Sequence, residues 1–293
     1  MSKIFYLSSW GGSATAWLAR SLDLHPNVTC FHGGRFWPQI PASQEHEPQS
    51  NPGSTERTPA QFAEDLASLG GDDHFAGAVH GYHGLSMQQA ANARQGRFGM
   101  IARDPIMRVT SLTTHHLDKA AHTASGTECM ALVEFFFHYA KRYKSIVDRF
   151  MEAKFIAPLN GTGDIKAFID DMTFLWVALE TMANDIHMLT LEKDHIFRME
   201  DFTRDPGTFG QLFSTMTQGA LPCDDGYLES VFSQGKINAH RRKKAPKDPR
   251  STFLTWPDNH QMMFLFCLKI MPKMAEVAER FDYPILNELQ QAA

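Results

Sequence analysis

The sequence predicts an α/β fold of three layers, in which a mostly parallel central sheet is flanked by helices. In the N-terminal part of the chain, short apolar strand patterns alternate with amphipathic helix patterns, an order typical of parallel strands joined by covering helices. The first strand pattern leads directly into a glycine-rich segment and then a helix. The middle and C-terminal parts are rich in helix patterns. We expect one domain over residues 1–293.

The elements follow from the spacing of apolar residues. Strands are predicted at Ile4–Leu7, Val28–Phe31, Phe75–His80, Phe98–Ala102 and His195–Met199. Helices are predicted at Ala14–Leu24, Pro59–Leu69, Pro105–Leu117, Glu128–Ala153, Asp164–Leu191, Pro206–Gln218 and Asp258–Phe281. Two segments are predicted to be loops. Residues 36–58, rich in Pro, Gln, Glu and Ser, are expected to form a lid or binding loop, and residues 235–256 form a basic loop.

Composition argues against several classes of protein. The formal net charge is −5, so the chain has no general positive field for nucleic acid or an anionic membrane. The four cysteines lie far apart along the chain, which predicts reduced thiols rather than a disulfide framework. Apolar runs are too short for a signal peptide or a membrane span. We therefore expect a cytoplasmic protein with neither nucleic acid nor membrane as partner.

The segment between the first strand and the first helix has the composition of an anion-binding loop. Gly11 and Gly12 allow the chain to wrap closely, and the hydroxyls of Ser13 and Thr15 can donate to phosphate oxygens. The N–H groups at the start of the helix, with the helix dipole behind them, favour an anion. An ordinary strand-to-helix turn explains this loop equally well. No lysine follows the glycines as it does in GxxxxGK[ST], which disfavours kinases and ATPases.

A second phosphate-binding pattern follows the strand predicted to end at Ala102. Arg103-Asp104-Pro105 starts a helix, and Ser111 lies two turns further on. A planar guanidinium donates in pairs to phosphate oxygens, so Arg103 and Ser111 are expected to meet one phosphate. The alternative is a helix start with Ser111 exposed.

These segments resemble the sulfotransferases that use 3′-phosphoadenosine 5′-phosphosulfate (PAPS). The run Gly12–Trp17 is similar to their phosphosulfate loop, a Lys or Arg followed by Ser-Gly-Thr-Thr-Trp. Arg103 and Ser111 have the order and spacing of the family's 3′-phosphate motif, and segments 22–28 and 197–206 are weaker matches. The resemblance implies a P-loop-like fold, PAPS as co-substrate and no metal. It implies a cofactor site of Gly11, Gly12, Ser13, Ala14, Thr15, Ala16, Trp17, Arg103 and Ser111.

The loop departs from the family pattern at one important position. Gly12 stands where the family carries the cation that stabilises charge on the leaving phosphate oxygen. In the family, a basic loop near the C-terminus folds over the 3′-phosphate, and the basic run in residues 235–256 resembles it. We therefore expect Arg241, Arg242 and Lys243 to bind the cofactor, and a side chain from Arg241–Lys244 to replace the missing cation. A solvated surface run is the open alternative.

A histidine is the expected general base, because imidazole titrates near neutral pH. His32 follows the second strand, where Golgi-type sulfotransferases place a glutamate. His80 and His83 end the third strand, the region in which cytosolic sulfotransferases place a histidine. We rank His32 first, expecting its strand to lie next to the first strand. A structural role for each histidine stays open, and no HExxH or Cys/His cluster suggests a metal.

The sequence thus predicts transfer of a sulfuryl group from PAPS to a hydroxyl or amine. The acceptor can be a small molecule, a glycan or a peptide. Two alternatives remain open. One is a catalytically silent, sulfotransferase-like nucleotide-binding protein, for which Gly12 is the main argument, and the other is a P-loop nucleotide kinase.

Overall fold

The computed structural model describes residues 3–33, 36–44, 54–80, 85–122, 134–141, 143–157, 165–235 and 248–292. The chain divides into two compact units. The first combines Met1–Arg103 with His187–Arg242, and the second combines Asp104–Ile186 with Lys243–Ala293. A single domain over the whole chain stays a prediction.

Five parallel strands form the central sheet of the first unit. They are β1 (Ile4–Ser8), β2 (Val28–His32), β5 (Phe75–Val79), β6 (Arg97–Ala102) and β7 (Ile196–Arg198), in the lateral order β2-β5-β1-β6-β7. All of β1 is buried, as expected for a central parallel strand covered on both faces. A separate antiparallel ribbon pairs β3 (Phe36–Trp37) with β4 (Thr55–Glu56).

Helices cover both faces of this sheet. Those of the first unit are α1 (Thr15–Asp23), α2 (Pro59–Leu69), α3 (Leu85–Ala93), Met199–Phe202, Pro206–Met216 and Asp225–Ser233. Phe5 and Leu7 of β1 share a core with α1 and helix Pro206–Met216. Tyr6 points to the opposite face, because side chains alternate along a strand, and its ring contacts Phe62 of α2. The predicted α/β fold, a parallel sheet between helices, is confirmed.

The carboxyl ends of β1 and β5 form a topological switch point. These two strands are neighbours. After β1 the chain continues into α1 on one face of the sheet, whereas after β5 it continues to α3, which packs beside α2 on the other face. Chain segments that leave neighbouring strands in opposite directions open a crevice where ligands of α/β proteins commonly bind.

The described parts of the second unit consist of helices and the turns that join them. Its helices are α4 (Pro105–His122), residues 134–141, Lys144–Glu152, Ile165–Met188, Pro249–Leu254, Asp258–Ile270, Met274–Arg280 and Pro284–Ala292. The predicted helix-rich middle and C-terminal parts are confirmed. None of the helices in the described ranges is long and apolar enough to cross a membrane.

Four predicted elements are corrected. The helix expected over Glu128–Ala153 is interrupted at Tyr143, which separates the helical residues 134–141 from Lys144–Glu152. The single helix expected over Asp258–Phe281 is wrong, because the chain breaks into two helices around Pro272, which has no N–H to continue the ladder. The loop expected over 235–256 contains the helix Pro249–Leu254, whose first turn is capped by the carboxylate of Asp248 accepting from the Ser251 N–H at 2.8 Å. The loop expected over 36–58 carries β3 and β4 near its two ends, and its role as a lid stays a prediction.

Candidate active site at the carboxyl edge of the sheet

The glycine loop turns sharply between β1 and α1. Gly11, Gly12 and Ala14 have φ values of 102°, 59° and 54°, a left-handed conformation that glycine adopts without strain. Ala14 precedes the first residue of α1 and makes no side-chain capping hydrogen bond, so its side chain satisfies none of the first-turn N–H groups of α1. The loop therefore directs backbone donors and a helix dipole to the carboxyl edge of the sheet.

The other predicted loop residues have different environments. The hydroxyl of Ser13 is fully buried and donates to the Gly11 carbonyl at 3.0 Å. Trp17 packs against the rings of Phe202, Phe209 and Phe232 in the core of the first unit, whereas Ala16 is half-buried. Donation of Ser13 to a phosphate and contact of Trp17 with a cofactor stay predictions. In this structure Ser13 shapes the loop and Trp17 anchors α1.

His32 and His80 meet beside the loop. His32 is the last residue of β2, and its Nε2 lies 3.1 Å from the hydroxyl of Thr15. His80 directly follows β5 and donates from Nδ1 to the carbonyl of Ser9 at 2.8 Å. The two rings are stacked with centroids 5.8 Å apart. His83, the third candidate base, lies outside the described residues.

His32 was ranked first because its strand was expected to lie next to β1, and the strand order shows that this reason is wrong. β5 lies between β1 and β2, so His32 belongs to the second strand away from β1 rather than to its neighbour. His32 reaches the loop nevertheless, because its partner Thr15 is the first residue of α1. His32 as the base stays a prediction.

The backbone around His80 is held in an uncommon conformation. Its φ is 73°, a left-handed value that costs energy for a residue with a side chain. Tyr6 donates its hydroxyl to the His80 carbonyl at 2.6 Å, and the His80 N–H donates to the Leu7 carbonyl at 2.9 Å. Sequence reasoning missed this contribution of Tyr6, and the available signal was a phenol within an otherwise apolar buried strand.

Arg103 reaches the glycine loop from the end of β6. It directly follows that strand and donates from Nη1 to the carbonyl of Gly12. The guanidinium therefore lies beside the loop position at which the resembled family carries its cation. Ser111 lies on α4, in the second unit, so the meeting of Arg103 and Ser111 on one phosphate stays a prediction.

The predicted basic cluster Arg241–Lys243 lies outside the described residues. The structure describes the chain again from residue 248, where it packs within the second unit. Trp256 contacts the ring of Phe174 and donates from Nε1 to the hydroxyl of Thr110 at 2.9 Å. A cofactor contact by Arg241, Arg242 or Lys243 stays a prediction.

A groove of about 400 Å³ near the C-terminal end of α1 is a weaker candidate. His25 lines this groove. Its Nδ1 accepts from the Asn27 N–H and its Nε2 donates to the Pro222 carbonyl, each at 3.2 Å. Asp224, which also lines the groove, caps the helix Asp225–Ser233 by accepting from the Tyr227 N–H. These polar groups serve the fold. In the described ranges, no three His, Cys, Asp or Glu side chains could hold one metal ion.

Burial gives His32 an unusual titration. The pKa of His32 is lowered from 6.5 to about 4, first because burial disfavours the charged ring and second because His80 lies beside it. The imidazole of His32 is therefore neutral at neutral pH.

Replacing His32 by Gln is expected to flatten the pH dependence of the free energy of unfolding. As the pH falls from about 6.5 to about 4, the unfolded chain takes up the proton before the folded one does. The free energy of unfolding is therefore unaffected by the titration of His32 above about pH 6.5. Below that pH it falls, by up to about 3 kcal/mol as the pH reaches about 4. Urea denaturation across this range measures it. His25 and His187, whose pKa values burial also lowers, leave a residual slope, and an unchanged slope in His32→Gln would contradict the prediction.

No protein-family model and no curated protein sequence matches the chain. A search of solved structures finds the crystal structure of mouse sulfotransferase SULT7A1 complexed with PAP (3′-phosphoadenosine 5′-phosphate), at 11% identity and a TM-score of 0.47. The match covers 100% of this chain and 89% of the mouse chain. A likeness of this degree does not assign a function.

Proposed function

We propose that the protein is a sulfotransferase that moves a sulfuryl group from PAPS to a hydroxyl or amine of a small-molecule, glycan or peptide acceptor. The observation that carries the proposal is the convergence of Thr15, His32 and Arg103 on the glycine loop, at 3.1 Å between Thr15 and His32 and through the hydrogen bond from Arg103 to Gly12. These groups come from three separate parts of the sequence. A cytoplasmic location is part of the proposal.

The chemistry places different demands on each group. The acceptor oxygen attacks sulfur while the bond from sulfur to the phosphate oxygen breaks, and that oxygen leaves with the electron pair. Backbone N–H groups at the start of α1 hold the phosphate in line and stabilise the developing charge. An imidazole at the end of β5 takes the proton of the acceptor.

Arg103 supplies positive charge at Gly12 in this proposal. A guanidinium is always charged at physiological pH and donates several hydrogen bonds in one plane. Arg103 can therefore bind an anion while it donates a hydrogen bond to the Gly12 carbonyl. The side chains of Arg241–Lys244 are a further expected source of charge.

Calorimetry with 3′-phosphoadenosine 5′-phosphate (PAP) and with ATP tests the proposal. We expect PAP to bind and ATP to bind far more weakly, since the loop lacks the lysine of ATP-binding P-loops. Transfer of radiolabelled sulfate from PAPS to a panel of phenols, alcohols, sugars and amines then tests turnover. Preference for ATP would favour the kinase alternative, and PAP binding without transfer to any acceptor class would favour a silent binder.

A further inference from the structure

The hydrogen bond between Thr15 and His32 has a direction that matters for an anion. Thr15 starts α1, is 8% exposed, and its Oγ1 lies 3.1 Å from Nε2 of His32. A threonine hydroxyl has one proton and two lone pairs. If that proton is donated to His32, it cannot also be donated to a phosphate. If His32 donates instead, the proton of Thr15 can point to the anion.

The surroundings of His32 keep its ring neutral. The ring is largely buried and stacks on His80 at an interplanar angle of 21°, with centroids 5.8 Å apart. Burial and the neighbouring imidazole together lower its pKa to about 4. A neutral imidazole has one N–H and one lone pair, and the hydrogen bond made by one nitrogen selects the tautomer.

The position of His32 is set by the backbone. His32 pairs with Val79 in the β2–β5 ladder, and the next residue, Gly33, donates its N–H to the Val79 carbonyl at 2.9 Å. Thr15 is held by the first turn of α1, with the Leu18 N–H donating to the Ala14 carbonyl. The two partners therefore face each other across a rigid frame, which suits orientation of a hydroxyl.

On the basis of the proposed function, we propose that His32 is a positioning residue whose Nε2–H donates to Thr15 and turns the Thr15 hydroxyl proton to a phosphate oxygen of the bound nucleotide. An anion at the start of α1 repels the lone pairs of the threonine and so favours this direction. The two hydrogen bonds in series polarise each other, and the bond to phosphate is charge-assisted.

This role differs from that of a general base. The Nε2 atom of His32 is engaged by the Thr15 hydroxyl, and a base with a pKa near 4 is weak at neutral pH. As a positioning residue, His32 acts on nucleotide affinity through Thr15. As a base, it would act on turnover with little effect on nucleotide affinity.

A double-mutant cycle measured with PAP by calorimetry tests the inference. Thr15→Val is expected to weaken PAP binding about 10- to 30-fold and His32→Ala about 5- to 10-fold. The double variant should bind no more weakly than Thr15→Val, because the effect of His32 passes through the threonine hydroxyl. His32→Gln should stay within about threefold of the parental affinity, since its amide N–H replaces Nε2–H without basicity.

Several outcomes would overturn the inference. Losses that add in the double variant would show that His32 acts independently of Thr15. Unchanged PAP affinity in His32→Ala, with turnover lost in both His32→Ala and His32→Gln, would show a base. Failure of the parental protein to bind PAP refutes the proposed function and this inference together, whereas PAP binding with an additive cycle refutes the inference alone. Thermal unfolding of each variant checks the fold, and His32→Gln keeps the test decisive if His32→Ala unfolds.

Discussion

Arg103→Ala is expected to weaken PAP binding by about 2–4 kcal/mol, or about 30- to 1,000-fold in Kd. The change removes a guanidinium that donates to the carbonyl of Gly12 and places a full positive charge beside the loop. Without it, phosphate charge at the loop meets an unshielded carbonyl dipole. Calorimetry with PAP measures the loss.

Two controls sharpen this experiment. Arg97→Ala removes the same side chain from the amino end of the same strand, away from the loop, and should leave PAP affinity unchanged. Adenosine 5′-phosphosulfate lacks the 3′-phosphate, so a loss confined to PAP assigns Arg103 to that phosphate, as the family resemblance implies. Equal losses for both nucleotides assign Arg103 to the loop at Gly12. Full PAP affinity in Arg103→Ala contradicts both roles.

Arg108→Ala is expected to lower the free energy of unfolding by about 3–5 kcal/mol. Arg108 of α4 donates to Asp185 at 2.6 Å, and both side chains are completely buried within the second unit. Removing the arginine takes away a charged partner of a buried carboxylate and opens a cavity, and both effects destabilise the folded state. Urea denaturation at neutral pH measures the change.

An exposed ion pair in the same unit provides the matched control. Lys144 and Asp148 are also paired, but their side chains are 75% and 48% exposed, so Lys144→Ala should cost at most a few tenths of a kcal/mol. The double replacement Arg108→Met with Asp185→Leu should recover much of the loss, since it removes both charges. Equal losses for Arg108→Ala and Lys144→Ala would contradict the assignment.

Local patterns predicted the elements well where one period dominates. The strands at Ile4, Val28, Phe75 and Phe98 and the helix Pro59–Leu69 agree with the structure to within one residue at every end, because burial and period are properties of adjacent residues. Apolar spacing was a poorer guide to where a helix is interrupted. Pro272 divides a helix that the apolar spacing alone would continue, and α3, which buries only Met87 and Ala91, was not predicted.

The candidate site was predictable in part. The glycine loop and Arg103 were identified from residue types and spacing, and the structure brings them into contact. Tyr6 was missed, because its hydrogen bond to the His80 carbonyl spans 74 residues and depends on the pairing of β1 with β5. Trp17 was assigned to the cofactor by resemblance; its ring packs in the core, and its contact with a cofactor stays a prediction.

The sequence by itself determined the first four strands of the parallel sheet, several of the helices that cover it, and the glycine loop that opens α1. Only the tertiary structure decided that β5 lies between β1 and β2, and hence that His32 approaches the loop through Thr15 instead of along a neighbouring strand. The physical reason is that apolar periodicity records whether a residue is buried. It does not record which strand or helix buries it, since many lateral orders bury the same side chains equally well.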